Sequence, residues 1–248
     1  ASGANSLVNA FNIATINGTA FDDTLTLVNG VYQSTINLGG GTDTLILTNP
    51  TGFSSLGLVD VENVVGGTAD DYIVLQNAVT GVTFDLGIGN DTLNLANGSN
   101  SVGVIGVETI NGSDFGGTSP SNDTLTLLNN VSSVRVNLGD GTNTLNLAAG
   151  ANSLVDAGGI NNTINGTALD DTLTVVNGVY QSTINLGDGT DTLILANPAG
   201  FSALGLVGVE NVAGGTADEY IVLQNAVTGV TFDLGIGNDT LNLANGSN

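Results

Sequence analysis

The chain has no cysteine, histidine, lysine, methionine or tryptophan, only three prolines, and a single basic side chain, Arg135, among 248 residues. Each absence removes a class of chemistry. Without Cys, His or Lys there is no thiol nucleophile, imidazole base, Schiff-base amine or thiolate or imidazole metal site. With one cation against 23 acidic residues the formal net charge is −22, so the chain cannot displace counterions from nucleic-acid phosphates, and an anionic membrane surface repels it. The missing disulfides fit either a reducing compartment or a secreted protein stabilised in another way. No apolar run approaches the roughly 18 residues of a membrane helix, and no signal peptide opens the chain. Residue 1 is Ala rather than Met, as expected of a processed product or a fragment. The remaining ligand set is carboxylate, amide, hydroxyl and backbone carbonyl, hard oxygen donors that suit calcium.

What is present argues for a buried core in spite of the charge, because 41% of the residues are hydrophobic and the mean hydropathy is positive, unlike a disordered polyanion. Internal repetition dominates. Residues 17–100 align without gaps on 165–248 with nine differences in 84 positions, a repeat of 148 residues. Within it a shorter phrase recurs: an acid or amide, then Thr or Tyr, then apolar-x-apolar. Its first apolar residues are Leu25, Leu45, Ile73, Leu93, Leu125, Leu145, Leu173, Leu193, Ile221 and Leu241, separated by steps of 20, 28 or 32 residues.

Each phrase alternates with period two, and a second apolar-alternating stretch (Ile36 and Leu38; Val82, Phe84 and Leu86; Val134, Val136 and Leu138) precedes a following phrase. Two short strands and two turns fill about 20 residues, one flattened coil. The longer steps are expected to hold inserted segments, such as residues 52–55, before the stretch from Leu56 to Val64. Helix is disfavoured, since the 37 glycines, with Asn, Thr and Val, leave no 3.6-residue apolar stripe. The expected fold is all-β: a parallel β-solenoid, like a β-roll or β-helix, running as one continuous body over residues 1–248 in about ten coils spaced about 4.8 Å apart. In that stacking Asn29, Asn49, Asn77, Asn97, Asn129, Asn177, Asn197, Asn225 and Asn245 would form an amide ladder.

The residue before each Thr or Tyr forms an acidic column: Asp23, Asp43, Asp71, Asp91, Asp123, Asn143, Asp171, Asp191, Glu219 and Asp239. Unit charges about 5 Å apart repel by roughly 3 kcal/mol at an effective dielectric of about 20, and Arg135 alone cannot neutralise them. A cation must bind, or the pKa values must rise, or the side chains must splay into solvent. The turns ahead of four of these acids alternate glycine, as in Leu38-Gly39-Gly40-Gly41-Thr42-Asp43 and Leu86-Gly87-Ile88-Gly89-Asn90-Asp91. Alternate Gly lets the carbonyls curl inward while an Asp closes a calcium-sized ring. These turns resemble the RTX, or haemolysin-type, calcium-binding repeat Gly-Gly-x-Gly-x-Asp-x-apolar-x. The resemblance places its second Gly at Gly39, Gly87, Gly187 and Gly235, its third at Gly41, Gly89, Gly189 and Gly237, and its Asp at Asp43, Asp91, Asp191 and Asp239. Here Leu stands for the first Gly, and turns such as Asn29-Gly30-Val31 lack an acid, so ions are expected at one edge only. Stretches such as residues 61–71 resemble the segments that link such repeats in large secreted bacterial proteins. The expected metal ligands are the nine acids of the column with these eight glycines, and the ion is calcium.

Competing readings exist for the same residues. Each Asp can simply form an Asx turn with backbone amides. The pairs Asp22/Asp23, Asp70/Asp71 and Asp170/Asp171 resemble the acids of a glycosidase or β-helical pectin-degrading enzyme, but they recur where an active site is singular. The column Thr24, Thr44, Thr92, Thr124, Thr144, Thr172, Thr192 and Thr240 invites an ice-binding or carbohydrate-binding reading, interrupted by Tyr72 and Tyr220. Asn-Gly-Thr/Ser at Asn17, Asn111 and Asn165 matches a glycosylation acceptor and is read first as a turn. The expectation carried forward is a non-enzymatic, secreted or cell-surface structural repeat protein: a calcium-stabilised filament, surface layer or adhesin stalk that self-associates end to end, with no nucleic-acid partner and no membrane insertion.

Overall fold

A strand that alternates Leu or Ile with Thr or Asn has one apolar face, and a coil of two such strands buries both faces against each other. The computed structural model, which describes residues 3–8, 10, 12–48, 54–113, 121–158, 162–177, 179–196 and 202–246, is built in this way. It falls into two units, Ala1–Asp114 and Phe115–Asn248, and no helix occurs among the described residues.

The first unit contains β1 (Gly3–Leu7), β2 (Thr15–Thr19), β3 (Asp23–Leu27), β4 (Tyr32–Gly39), β5 (Thr44–Leu47), β6 (Ser54–Val59), β7 (Asn63–Val65), β8 (Asp71–Leu75), β9 (Thr80–Asp85), β10 (Thr92–Asn94), β11 (Ser101–Ile105) and β12 (Thr109–Asn111). Its odd strands form one parallel sheet in chain order and its even strands a second. The second unit contains β13 (Thr124–Leu127), β14 (Val134–Asn137), β15 (Thr144–Asn146), β16 (Ala151–Gly158), β17 (Thr163–Thr167), β18 (Thr172–Val175), β19 (Ser182–Gly187), β20 (Thr192–Leu195), β21 (Ser202–Val207), β22 (Asn211–Ala213), β23 (Glu219–Leu223), β24 (Thr231–Asp233) and β25 (Thr240–Asn242). It follows the same rule, odd strands in one sheet and even strands in another. Each unit is therefore a parallel β-solenoid, as the alternation predicts.

Strand register makes the core a set of stacks. In the first unit Leu25, Leu45, Val64, Phe84 and Val104 follow one another on the odd sheet, and Leu56, Ile73, Leu93 and Ile110 on the even sheet. All are buried, each contributing about 1.5–3 kcal/mol relative to an exposed side chain. In the second unit Leu125, Leu145, Ile164, Ile184 and Leu206 form the corresponding odd-sheet stack.

Register also corrects the expected coil lengths. Leu45 is followed in its stack by Val64, 19 residues on, and not by Ile73, which lies on the other sheet between Leu56 and Leu93. Successive partners are 17 residues apart at Leu56 and Ile73 and 22 apart at Ile36 and Leu58, so the 28-residue step is not a longer coil. It carries the phrase from one sheet to the opposite one. The stretch from Leu56 to Val64 is correspondingly ordinary, supplying β6 and β7; residues 52 and 53, expected as part of an insertion, lie outside the described residues. Asn17, Asn111 and Asn165 lie in β2, β12 and β17 rather than in turns.

A carboxylate ladder at the strand entrances

Every member of the acidic column opens a strand or immediately precedes one, because this is where the chain leaves a tight turn and a backbone N–H points along the stack without a ladder partner. Asp23 and Asp43 stand at odd strands β3 and β5, while Asp71 and Asp91 stand at even strands β8 and β10; in the second unit Asp123 stands at β13, Asp171 and Asp191 at β18 and β20, and Glu219 and Asp239 at β23 and β25. The expected single column is thus replaced by pairs that alternate between the two sheets, and acids line both edges of each unit, not one. This follows directly from the change of sheet at each 28-residue step within a unit. Asp43, Asp91, Asp191 and Glu219 are completely buried.

The carboxylate of one coil accepts the backbone N–H at the equivalent point of the coil before it. Gly3 donates to Asp23 Oδ1 at 3.0 Å, Asp23 to Asp43 Oδ1 at 2.7 Å, and Asp43 to Glu62 Oε2 at 2.8 Å. On the even sheet Asp71 donates to Asp91 Oδ1 at 2.7 Å and Asp91 to Glu108 Oε2 at 2.8 Å. The second unit repeats the series from Gly150 through Asp171 and Asp191 to Glu210, at 2.7, 2.7 and 2.9 Å. Asp123 donates to Asn143 Oδ1 at 2.9 Å and Glu219 to Asp239 Oδ1 at 3.0 Å. A parallel outer row uses the preceding residue: Asp22, Asp70, Asp170 and Asp218 accept the N–H of Thr42, Asn90, Thr190 and Asn238 at 2.8 to 2.9 Å. Glu62, Glu108 and Glu210 are the rungs that the column missed. Their signal is the recurring Val-Glu-Asn/Thr-Val/Ile at 61–64, 107–110 and 209–212.

The rungs differ in their electrostatic surroundings. The Thr19 hydroxyl, at 2.8 Å, and then the Thr19 and Gly3 amides hold the Asp23 carboxyl below its ordinary range against the effect of burial. Asp43, Asp91 and Asp191 have no such second donor: Oδ1 takes the amide, while Oδ2 is buried with no hydrogen-bond partner. Burial pushes all three upward, Asp91 to about 7. Burial also raises Glu219 to about 7.

Calcium takes six to eight oxygens. Asp43, Asp91 and Asp191 each keep one free carboxylate oxygen, and no three acidic side chains converge into a metal-binding group among the described residues. The glycines have a steric task. Gly39, Gly87, Gly187 and Gly235 take left-handed φ values of 97°, 87°, 104° and 80°, and Gly41 and Gly189 values of 133° and 141°, whereas Gly89 and Gly237 are not left-handed. A Cβ on Gly39, Gly87, Gly187 or Gly235 would collide with the carbonyl of Thr19, Gly67, Thr167 or Gly215 on the coil beneath, so glycine here permits close stacking of turns.

Other columns also regroup. Asn29 donates to the Val8 carbonyl at 2.6 Å and Asn77 to Asp60 at 3.3 Å, while Asn49 and Asn197 lie outside the described residues. Amide-to-amide rungs occur at Asn111 to Asn94, 2.9 Å, and Asn165 to Asn146, 3.0 Å. The Thr column splits between sheets with the acids, leaving Thr124, Thr144, Thr163 and Thr183 as one consecutive run.

Comparison with protein-family models, with curated proteins and with solved structures finds no match in any of the three.

Proposed function

We propose that the chain is a structural repeat protein, secreted or displayed at a cell surface, whose coils serve as building material for a filament, layer or stalk that associates with further copies. The observation that carries this reading is the carboxylate–amide ladder: the most distinctive polar residues of the sequence are spent joining one coil to the next. The paired acids that resemble a glycosidase dyad support a non-enzymatic role, since Asp22 and Asp23, like Asp170 and Asp171, each accept backbone N–H groups and recur from coil to coil. A surface of one sign favours dispersal of side-by-side copies and leaves the sheet edges as the cohesive element.

Negative-stain electron microscopy of concentrated protein, with calcium and with chelator, tests the proposal. Regular fibres or sheets in either condition support it. Dispersed compact particles in both, with light scattering at the 24.6 kDa of one chain, overturn it.

A further inference from the structure

Two turns of the chain differ only in their last residue: Gly139-Asp140-Gly141-Thr142-Asn143 and Gly187-Asp188-Gly189-Thr190-Asp191. Their backbones match, with left-handed φ values of 77° and 118° at the glycines of the first and 104° and 141° at those of the second. Asn143 and Asp191 are both completely buried, and each accepts, through Oδ1, the N–H of the residue one coil earlier, Asp123 at 2.9 Å and Asp171 at 2.7 Å. The second terminal atom of Asn143 is an NH₂ group, which donates to the Gly139 carbonyl at 3.1 Å. In Asp191 the remaining oxygen, Oδ2, is buried and has no hydrogen-bond partner. Asp43, behind Gly39 and Gly41 with φ of 97° and 133°, and Asp91, behind Gly87 with φ of 87°, share this condition.

Such an oxygen needs a donor or a cation. The charged groups facing Asp43 are Asp22, Asp23, Asp60 and Glu62; those facing Asp91 are Asp70, Asp71 and Glu108; those facing Asp191 are Asp170, Asp171 and Glu210. All are acidic. The only basic side chain, Arg135, is paired with Asp156 at 3.2 Å on an exposed face. A proton would give the acids what Asn143 carries covalently.

We propose that Asp43, Asp91 and Asp191 stand in the folded protein as neutral carboxylic acids, each donating its Oδ2 proton to the carbonyl of the glycine four residues earlier, Gly39, Gly87 or Gly187. The proton comes from solvent on folding, one per acid, and no other bond changes. The upward displacement of all three groups by burial accords with this. The folded value lies above the unfolded value of 3.8, so the stabilisation is complete below about pH 4 and is lost as pH rises through the folded value, about 7 for Asp91. The buried acids make the solenoid an acid-favoured structure, the reverse of a fold held by ionised carboxylate pairs.

The test compares the whole chain with a triple variant, Asp43→Asn, Asp91→Asn and Asp191→Asn, which keeps both hydrogen bonds without a proton. Thermal unfolding of the unmodified chain should move several degrees lower between about pH 5 and about pH 8, while the variant changes less over that range and melts higher than the parent at the upper end. Infrared spectra of the folded parent should hold the carbonyl band of protonated carboxyl groups above the titration range of exposed aspartates, and the variant should lose the share of it that these three groups supply, Glu219 keeping its own. A parent without that band overturns the proposal whether or not the variant folds. So does stoichiometric calcium uptake by the parent that the variant lacks, which would make the metal the neutralising group.

Discussion

The backbone N–H of Asp23 donates to Oδ1 of Asp43 across 2.7 Å, so two residues with the same formal charge are joined by an attraction between the carboxyl of one and the peptide group of the other. The bond adds a side-chain rung to the backbone ladder that runs between β3 and β5. The bond forms with Asp43 charged or neutral, although the charged carboxylate is the stronger acceptor.

Replacement at one rung separates these roles. Asp191→Ala removes the acceptor for the buried Asp171 N–H and should cost about 1–3 kcal/mol, seen as a lower denaturant midpoint at neutral pH. Asp191→Asn retains the acceptor and should be at least as stable as the parent chain under the same conditions.

The turn glycines supply a steric prediction. Gly187→Ala forces a left-handed φ of 104° on a residue with a Cβ and drives that Cβ into the Thr167 carbonyl, so it should lose more than the roughly 1–2 kcal/mol of the backbone conformation alone. Gly40→Ala should be close to neutral, because its nearest contact is the Ala20 Cα at 3.7 Å and the equivalent place in the repeat holds Asp188. Melting curves of the two variants measure the contrast.

Phe84 and Phe232 occupy equivalent places in the 148-residue repeat but differ in cover. Phe84 is completely buried between Val64 and Val104, whereas Phe232 in β24 is half-buried. Phe84→Ala should cost about 3–5 kcal/mol, and Phe232→Ala distinctly less, in denaturant unfolding of this chain.

Surface charge should show in the salt dependence. With a net charge of −22, added sodium chloride should raise the unfolding temperature at about pH 8 more than at about pH 4.5, where part of the charge is gone. Arg135→Ala should change stability by no more than about 1 kcal/mol, since its pairing with Asp156 is exposed.

The solenoid was legible in Leu25, Leu45 and their 20-residue spacing, because a coil of two short strands has little freedom in length. The side on which each phrase falls was not. Asp43-Thr44-Leu45 and Asp71-Tyr72-Ile73 read alike because both sheets bury the same core and both entrances need the same acceptor, so period alone cannot distinguish a longer coil from a change of face. The intervening strand, Asn63-Val64-Val65, lacks the Asp-Thr opening, and its cap comes from Glu62 acting on the coil before. The glycines were read as part of an ion site because Gly-x-Gly-x-Asp suits an inward-curled ring; it equally suits a turn stacked tightly on its neighbour, and the approach of Gly39 to the Thr19 carbonyl shows that stacking.

Arg135 lies within β14, whose backbone pairs with β16, and no lysine accompanies it anywhere in the chain. Trypsin therefore has a single bond to cut, and that bond is held in a hydrogen-bonded strand. Cleavage requires this stretch to detach from its neighbour first, so the rate at which the intact chain disappears under trypsin reports the opening of one coil in the middle of the sequence. An array of such chains would resist digestion to the extent that this single coil stays shut.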